Sequence, residues 1–252
     1  MSEIPQLNLA FDEFCLFADA DGTLLNIAER PESARATSDI LNILDRLYFA
    51  LGGALAIVSG RRIEDIDRLF APLRLPASGI HGAQLRARAD GEICDTGGPD
   101  IPADVARSIE AVARRHPGVF VEDKGKALAV HWRAAQERAK ALSDELAATI
   151  LPTPGLSILR GHCVFEVKSS STTKGDAVRA FMQAAPFAGR IPVFIGDDVT
   201  DVAGMAAAKA LGGRAFSVGQ RLEGADGVLA SPAEVGAWLA GLLATQQEAR
   251  RA

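Results

Sequence analysis

Cysteine is scarce in this chain, with three among 252 residues. Cys15, Cys94 and Cys163 are an odd number and do not have the spacing of metal ligands. Cys15 and Cys163 stand in strand-like runs, where a free thiol is usually buried as a small apolar side chain. The cysteines therefore predict reduced, buried thiols and give no sign of a cysteine-bound metal.

Long apolar segments and an excess of basic residues are also missing. No run approaches the roughly 18 apolar residues of a membrane span, and the start MSEIPQ lacks a basic segment followed by an apolar one. The net charge is −5 and the pI is near 5.5, whereas a nucleic-acid partner would require a basic face. We therefore expect a cytoplasmic protein that binds neither membranes nor nucleic acid.

The remaining composition, 48% hydrophobic and 23% charged, is ordinary for a soluble globular protein. In the first third, helical spacing of apolar residues from Ile40 to Leu47 precedes the apolar strand Ala54–Val58, and a second helix is indicated from Ile63 to Phe70. The last third repeats the rhythm with a helix from Lys174, a strand at Pro192–Ile195, a helix near Val199–Ala210 and a short strand around Ala215–Val218. This alternation predicts an α/β fold with a Rossmann-like, mostly parallel sheet.

The middle of the chain has a different pattern. Asp90-Gly91 lies between two short runs and predicts a hairpin. From Pro99 to Lys168 the predicted order is helix, two strands, helix, two strands, which is an antiparallel α+β unit inserted into the parallel one. We assign residues 1–98 and 169–252 to a core and residues 99–168 to this insertion.

The run Phe17–Leu25, FADADGTLL, carries two carboxylates at the end of an apolar strand. Gly22 allows a sharp turn, so that Asp21 can swing over Asp19. One carboxylate can then attack a phosphate monoester while the other handles a proton. Because acids and substrate are all anionic, this chemistry needs a hard cation such as Mg²⁺ and further carboxylates to bind it. Taken alone, the motif is equally compatible with an ordinary Asp-Gly turn.

Two phosphate-binding segments follow in the sequence. The strand at Ala54–Val58 leads into Ser59-Gly60-Arg61, which offers a hydroxyl and a guanidinium. Lys174 opens a predicted helix that extends to Ala185, and both its ammonium and the helix N-terminus favour an anion. Each segment could also be a plain turn or a solvated helix start.

The extra acids appear directly after the strand at Pro192–Ile195, in the run GDDVTD, as Asp197, Asp198 and Asp201. An acidic cluster there could also be a helix cap with first-turn charges. The order in which the acid pair, the hydroxyl, the lysine and the acidic cluster follow one another favours a phosphate-binding site over separate turns and caps. Ligands of an open α/β sheet gather at the carboxyl ends of its strands, so all four groups are predicted to converge on one crevice.

The order DADGT, Ser59, Lys174, GDDVTD resembles the haloacid dehalogenase superfamily of phosphohydrolases. The resemblance implies that Asp19 is the nucleophile and Asp21 the general acid/base, and that Ser59 and Lys174 hold the phosphoryl group. It also implies that Asp19, Asp21 and Asp197 bind Mg²⁺, with Asp198 and Asp201 in support.

The segments GIHGAQ, VEDKGKALAVHWR, FEVK and GDDVTD resemble trehalose-6-phosphate phosphatases of the bacterial type, over about Phe17 to Trp238. This resemblance implies that the insertion is a cap in which Glu122, Lys124 and Glu166 hold the sugar rings. It also implies a sugar phosphate as substrate and possible functional coupling to a trehalose-6-phosphate synthase. Two alternatives stay open, namely a related phosphatase acting on sucrose 6-phosphate or a hexose phosphate, and a non-catalytic sugar-phosphate sensor.

The sequence contexts of His81 and His131 differ. His81 follows a short predicted strand and precedes Gly82 near the junction of core and insertion, so we include both, with Arg61, among the candidate substrate-binding residues. On the strand Ala127–Arg133, His131 and Arg133 share one face, where polar residues facing solvent are the default. We therefore do not assign His131 as a ligand.

Overall fold

A computed structural model of the chain describes residues 7, 9–27, 34–97, 99–161, 163–169 and 172–249. The chain divides into two compact units, one formed by Met1–Asp95 with Thr173–Ala252 and the other by Thr96–Thr172. We call them the core and the cap. Residue 98, at one predicted boundary, lies outside the described residues.

Within the described residues, the core contains eight strands in one sheet and five α-helices. Its strands are β1 Phe14–Ala18, β2 Leu55–Val58, β3 Ala77–Gly79, β4 Gln84–Arg86, β5 Cys94–Asp95, β10 Ile191–Gly196, β11 Arg214–Val218 and β12 Gly227–Leu229. Its helices are α1 Ser38–Ala50, α2 Ile63–Phe70, α5 Lys174–Phe181, α6 Val202–Ala210 and α7 Pro232–Ala249. The cap contains β6 Phe120–Asp123, β7 Ala127–His131, β8 Leu156–Gly161 and β9 Val164–Ser169, with α3 Ala103–Arg114 and α4 Ala139–Ile150.

The core sheet has the order β12-β11-β10-β1-β2-β3-β4-β5. Six strands run parallel, and β4 and β5 continue the sheet as an antiparallel hairpin, as the Asp90-Gly91 signal predicts. Strands β1 and β2 are buried along their whole length, which is typical of parallel strands covered on both faces. Because β1, β2 and β10 are neighbours, the residues that follow them meet at one edge of the sheet.

Aromatic packing fixes β1 behind that edge. The ring of Phe17 lies 5.6 Å from that of Phe181 on α5 and 5.4 Å from that of Phe187. All three side chains are buried. Such closely packed rings allow little movement, so the end of β1 and the start of α5 are held in a fixed relation.

Two predicted helices differ from the observed ones at their ends. The helix from Lys174 ends at Phe181, not Ala185, and cis Pro186 follows soon after it. A proline restricts the residue before it away from helical geometry. The helix predicted near Val199–Ala210 begins as a tight turn, Val199–Asp201, because Asp198 caps the chain there.

The cap sheet is antiparallel with the order β6-β7-β9-β8. One face packs against α3 and α4 through a separate hydrophobic core, formed by residues that include Ile109, Val130, Leu142, Leu146 and Val167. Since side chains alternate along a strand, the polar residues between these apolar ones lie on the other face. The predicted order of elements in this unit is confirmed.

Burial of the cysteines agrees with prediction for two of the three. Cys15 and Cys163 are buried, whereas Cys94 is exposed because it lies on the short strand β5 at the end of the core sheet. Among the described residues, no helix combines the length and the apolar character needed to cross a membrane.

Candidate active site

Asp19 is the first residue after β1 and is almost fully buried. Its backbone N–H donates to the carbonyl of Ile195 on the neighbouring strand, which anchors the residue at the sheet edge. Gly22 then turns the chain with φ of 82°. A Cβ atom at Gly22 would lie 2.1 Å from Oδ2 of Asp197. Glycine is therefore required here, both for the turn and for the close approach of the Asp197 carboxylate.

Lys174 is the central cation of the site. Its Nζ lies 2.8 Å from Oδ1 of Asp19 and 2.7 Å from Oδ1 of Asp201, and all three side chains are buried. Burial alone would lower the pKa of Lys174, but the two carboxylates outweigh it and raise the pKa above its ordinary value. The lysine is therefore a permanent positive charge, placed at the start of α5 by the Thr173 and Asp176 capping box.

Asp201 is held by the loop that carries it. Its Oδ2 accepts hydrogen bonds from the backbone N–H groups of Asp197 and Asp198, each at 3.1 Å, while Oδ1 faces Lys174. Asp198 accepts from the N–H of Val199 and caps the turn. These bonds fix the GDDVTD loop, and the support of a metal ion by Asp198 and Asp201 stays a prediction.

Three carboxylates of the site, those of Asp19, Asp197 and Asp201, have oxygens that all lie within 4.8 Å of one another. Burial raises the pKa of Asp19 to about 7, with Lys174 opposing the shift and Asp201 adding to it. Burial likewise raises the pKa of Asp197 to about 7, and the charge of Asp19 contributes. One ammonium offsets only part of this negative charge, so the oxygen-rich site fits a hard divalent cation.

Thr23 orients the Asp197 carboxylate, since its hydroxyl donates to Oδ1 at 2.8 Å. On the same side, a cavity of about 480 Å³ opens within the core. Its lining residues are Gly22, Asn26, Ile27, Asp197, Val218, Gly219, Gln220, Ala230, Ser231 and Pro232.

Asp21 points to a different partner. Arg61, which follows β2, donates from Nε and Nη2 to the two oxygens of Asp21 at 2.5 and 2.7 Å. Such a bidentate pair fixes the geometry of both side chains. The three grouped carboxylates thus contain two of the predicted metal ligands, Asp19 and Asp197, together with Asp201. The third predicted ligand, Asp21, is held by Arg61.

Ser59 is buried at the end of β2, where its hydroxyl accepts from the backbone N–H of Arg61 at 3.2 Å. His81 donates its own backbone N–H to the carbonyl of Ser59. A Cβ atom at Gly60 would lie 2.5 Å from Nε2 of His81, so the imidazole packs directly on this loop. The structure therefore brings His81 to the predicted phosphate-binding segment.

The segment that carries His81 has an unusual backbone. Ile80, His81 and Gly82 have successive positive φ values of 48°, 51° and 103°. A β-branched residue in this region is strained, and such strain concentrates at functional sites. A Cβ atom at Gly82 would lie 2.4 Å from the carbonyl oxygen of Thr173, the residue before Lys174. The segment therefore lies in contact with both the Ser59 loop and the start of α5.

The cap supplies a second group of polar residues. Ala129 on β7 is the cross-strand partner of Glu122 on β6 and of Glu166 on β9. All three side chains therefore lie on one face of the sheet. Lys124 donates to Oε1 of Glu166 at 2.7 Å, and His131 lies 2.8 Å from Oε2 of Glu122. The three predicted sugar-binding residues therefore lie together on the face of the cap sheet opposite α3 and α4, which we call the open face because neither helix covers it.

Sequence reasoning did not place Thr23 or His131 among the site residues. The hydrogen bond from Thr23 to Asp197 joins residues 174 positions apart. The pair of His131 and Glu122 depends on the register of β6 and β7, in which Glu122 faces Ala129, two residues before His131. The hairpin register could have indicated the second contact, because diagonal side chains on one face come within reach of each other.

The parallel sheet with acids after β1 and β10, a lysine between them and an inserted unit is a fold shared with solved phosphatases of the haloacid dehalogenase type. A haloacid dehalogenase-like hydrolase from B. subtilis has the same fold, with a TM-score of 0.63 at 16% identity over 89% of this chain and 98% of that one. The trehalose-phosphatase family model matches residues 17–210. The chain belongs to this family, whose members are phosphoric monoester hydrolases.

Two relatives illustrate the family. The trehalose-6-phosphate phosphatase of Escherichia coli K12 is 37% identical over 99% of this chain and 93% of its own length. The structure of the C-terminal domain of C. albicans trehalose-6-phosphate phosphatase superposes with a TM-score of 0.82, at 21% identity, over 93% of this chain and 92% of that one. The second likeness concerns the fold alone.

Proposed function

We propose that this chain hydrolyses trehalose 6-phosphate to trehalose and inorganic phosphate. The observation that carries the reaction type is the buried group of Asp19, Lys174, Asp197 and Asp201 at the carboxyl edge of a parallel sheet. The substrate follows from family membership and from Glu122, Lys124 and Glu166 on the open face of the cap.

In the first half of the reaction, an Asp19 oxygen attacks phosphorus. The new bond joins Asp19 to the phosphoryl group while the bond from phosphorus to the sugar oxygen breaks. Asp21 donates a proton to the departing alkoxide, and Lys174 and Ser59 hold the phosphoryl oxygens. This step splits one difficult displacement into two easier ones.

In the second half, Asp21 takes a proton from water, and the water oxygen attacks phosphorus. The bond from phosphorus to Asp19 breaks, which releases inorganic phosphate and restores the Asp19 carboxylate. Protonation of Asp21 weakens its hydrogen bonds from Arg61, because the oxygens of a neutral carboxyl group are poorer acceptors than those of a carboxylate. In that state Arg61 is held less firmly by Asp21 and can turn toward the phosphate.

Asp19 and Asp197 are the side chains proposed to hold Mg²⁺, with Asp21 as the third ligand implied by the family resemblance. When bound, the cation would neutralise the negative charge of the acids and of the phosphate. Lys174 cannot do this alone, since it already faces two carboxylates.

The test is release of inorganic phosphate from trehalose 6-phosphate, sucrose 6-phosphate and glucose 6-phosphate, each with Mg²⁺ and with EDTA. We expect the highest kcat/KM with trehalose 6-phosphate, loss of activity in EDTA and recovery with excess Mg²⁺. A clear preference for another sugar phosphate would assign a different substrate. Binding of trehalose 6-phosphate without release of phosphate would indicate a sensor, and full activity in EDTA would contradict the metal assignment. Coupling to a synthase stays a prediction.

A further inference from the structure

The two glutamates on the open face of the cap are held in different ways. Glu166 lies on the internal strand β9, is buried, and is paired with Lys124. Glu122 lies on the edge strand β6 with its side chain 34% exposed. An edge carboxylate with three rotatable bonds loses conformational freedom when it must bind a ligand in one orientation. Glu122 therefore needs another group to hold it.

His131 is that group. Its Nε2 lies 2.8 Å from Oε2 of Glu122, and its own side chain is only 15% exposed. This hydrogen bond is the first cause that lowers the pKa of Glu122 below its usual range, so the carboxylate stays ionised. An ionised carboxylate only accepts hydrogen bonds, which suits it to the hydroxyl groups of a sugar.

Phe120 in turn holds His131. The two residues are direct cross-strand partners on β6 and β7. Their rings stack with centroids 4.6 Å apart and an interplanar angle of 16°. Phe120 is itself 54% exposed, so its ring covers one face of the imidazole while its own other face is open to solvent. Phe120, His131 and Glu122 thus form a chain of contacts along one face.

We propose that His131, held by Phe120, is a positioning residue that orients Glu122 for recognition of the sugar. This inference rests on the proposed function, because it gives Glu122 the role of reading a sugar phosphate. His131 engages Oε2 of Glu122, so recognition of a sugar hydroxyl falls to Oε1. The alternative is that the pair only stabilises the hairpin of β6 and β7.

The test is a double-mutant cycle with His131→Ala, Glu122→Ala and the double variant, assayed on trehalose 6-phosphate and on p-nitrophenyl phosphate, which has no sugar. The measured quantity is the ratio of kcat/KM for the two substrates. We expect His131→Ala to lower this ratio about tenfold, the effect of losing one charge-assisted hydrogen bond. In the Glu122→Ala background the same change should have no further effect, because there is no carboxylate left to orient.

Conservative variants separate positioning from packing. Gln at position 131 can place its amide nitrogen near the site of Nε2, so His131→Gln should restore much of the ratio. Phe120→Ala should lower it in the same direction as His131→Ala, by a smaller factor. The matched control is His116→Asn, because His116 also pairs with a glutamate of the cap, Glu145, away from this face. This control should leave the ratio unchanged.

Equal losses on both substrates for His131→Ala, or full additivity with Glu122→Ala, would overturn the proposal. Failure of the proposed function appears elsewhere, as a lack of turnover of trehalose 6-phosphate by the wild-type protein. In that case the double-mutant cycle is measured with the sugar phosphate that the wild-type protein hydrolyses best. The same two outcomes would then overturn the role of His131.

Discussion

The charged group of the core and the Glu122–His131 pair of the cap are buried to very different degrees. In the core, Lys174, Asp19 and Asp201 are at most 7% exposed at the side chain. In the cap, Lys124 and Glu166 are nearly as buried, at 12% and 6%, whereas the side chains of Glu122 and His131 are 34% and 15% exposed. Under the proposed function this difference suits two tasks, since charges that stabilise a transition state act best where water is excluded, whereas Glu122 on an edge strand can be reached by a hydroxyl group of the sugar.

The same difference decides how each site responds to mutation. Removing Lys174, the cation of the buried core group, would leave two uncompensated carboxylates, which costs about 3 to 5 kcal/mol of stability. Breaking a partly exposed pair costs about 1 kcal/mol or less. Changes in the core should therefore affect every substrate and often the fold, and changes in the cap should affect mainly the sugar substrate.

The largest effect is expected for Asp19→Asn, which removes the proposed nucleophilic carboxylate but keeps the shape of the side chain. We expect kcat to fall roughly 10⁴-fold or more on both trehalose 6-phosphate and p-nitrophenyl phosphate. The raised pKa of Asp19 means that its ionised form destabilises the metal-free fold at neutral pH, so the melting temperature in EDTA should stay equal or rise. A variant with near-normal kcat would disprove the nucleophile assignment.

A smaller and more selective effect is expected for Glu166→Ala. Loss of a hydrogen-bond acceptor for the sugar should lower kcat/KM for trehalose 6-phosphate about 10- to 100-fold, with a much smaller change for p-nitrophenyl phosphate. The comparison is made with Glu145→Ala, a cap glutamate that pairs with Arg115 and His116. If both substrates lost activity equally in Glu166→Ala, the proposed division of work between core and cap would be wrong.

The fold and the order of the core site could be predicted because they depend on local patterns. The alternation of strands and helices gave the parallel sheet, and the strands that precede Asp19, Ser59 and Asp197 lie side by side. A parallel sheet necessarily brings such strand ends to one edge. The grouping of these three residues is thus a consequence of topology.

Individual side-chain pairings could not be predicted in this way. Arg61 was expected to face the phosphate, yet it holds Asp21, and Thr23 holds Asp197 across 174 positions of sequence. Such contacts depend on rotamers and on the distance between strands, which residue spacing does not encode. The positive φ values at Ile80 and His81 are likewise imposed by tertiary packing against the propensity of both residues.

An intermediate effect is expected for Gly82→Ala in the core. The new Cβ would lie 2.4 Å from the carbonyl of Thr173 at a φ of +103°, so the start of α5, and Lys174 with it, must shift. We expect kcat to fall about tenfold on both substrates, since a misplaced lysine stabilises the phosphoryl group less well. Gly189→Ala is the control, because Gly189 has a φ of +81° but nothing within 4 Å of its Cβ position. Equal kcat for the two variants would show that Gly82 does not position the site.

The smallest effect concerns ionisation in the cap and is measured by carbon-13 NMR titration of the Glu122 carboxyl. Its pKa is lowered, first by the hydrogen bond from His131, so it should titrate below 4.5 in the wild-type protein and higher in His131→Ala. A lowered folded-state pKa contributes stability that is present above the unfolded-state pKa and is lost as the pH falls through the folded one. The variant should therefore lose no more than about 1 kcal/mol at pH 7, given the exposure of Glu122, and this difference should shrink below pH 4.5. Identical pKa values of Glu122 in the two proteins would mean that His131 does not lower the pKa of this carboxyl group.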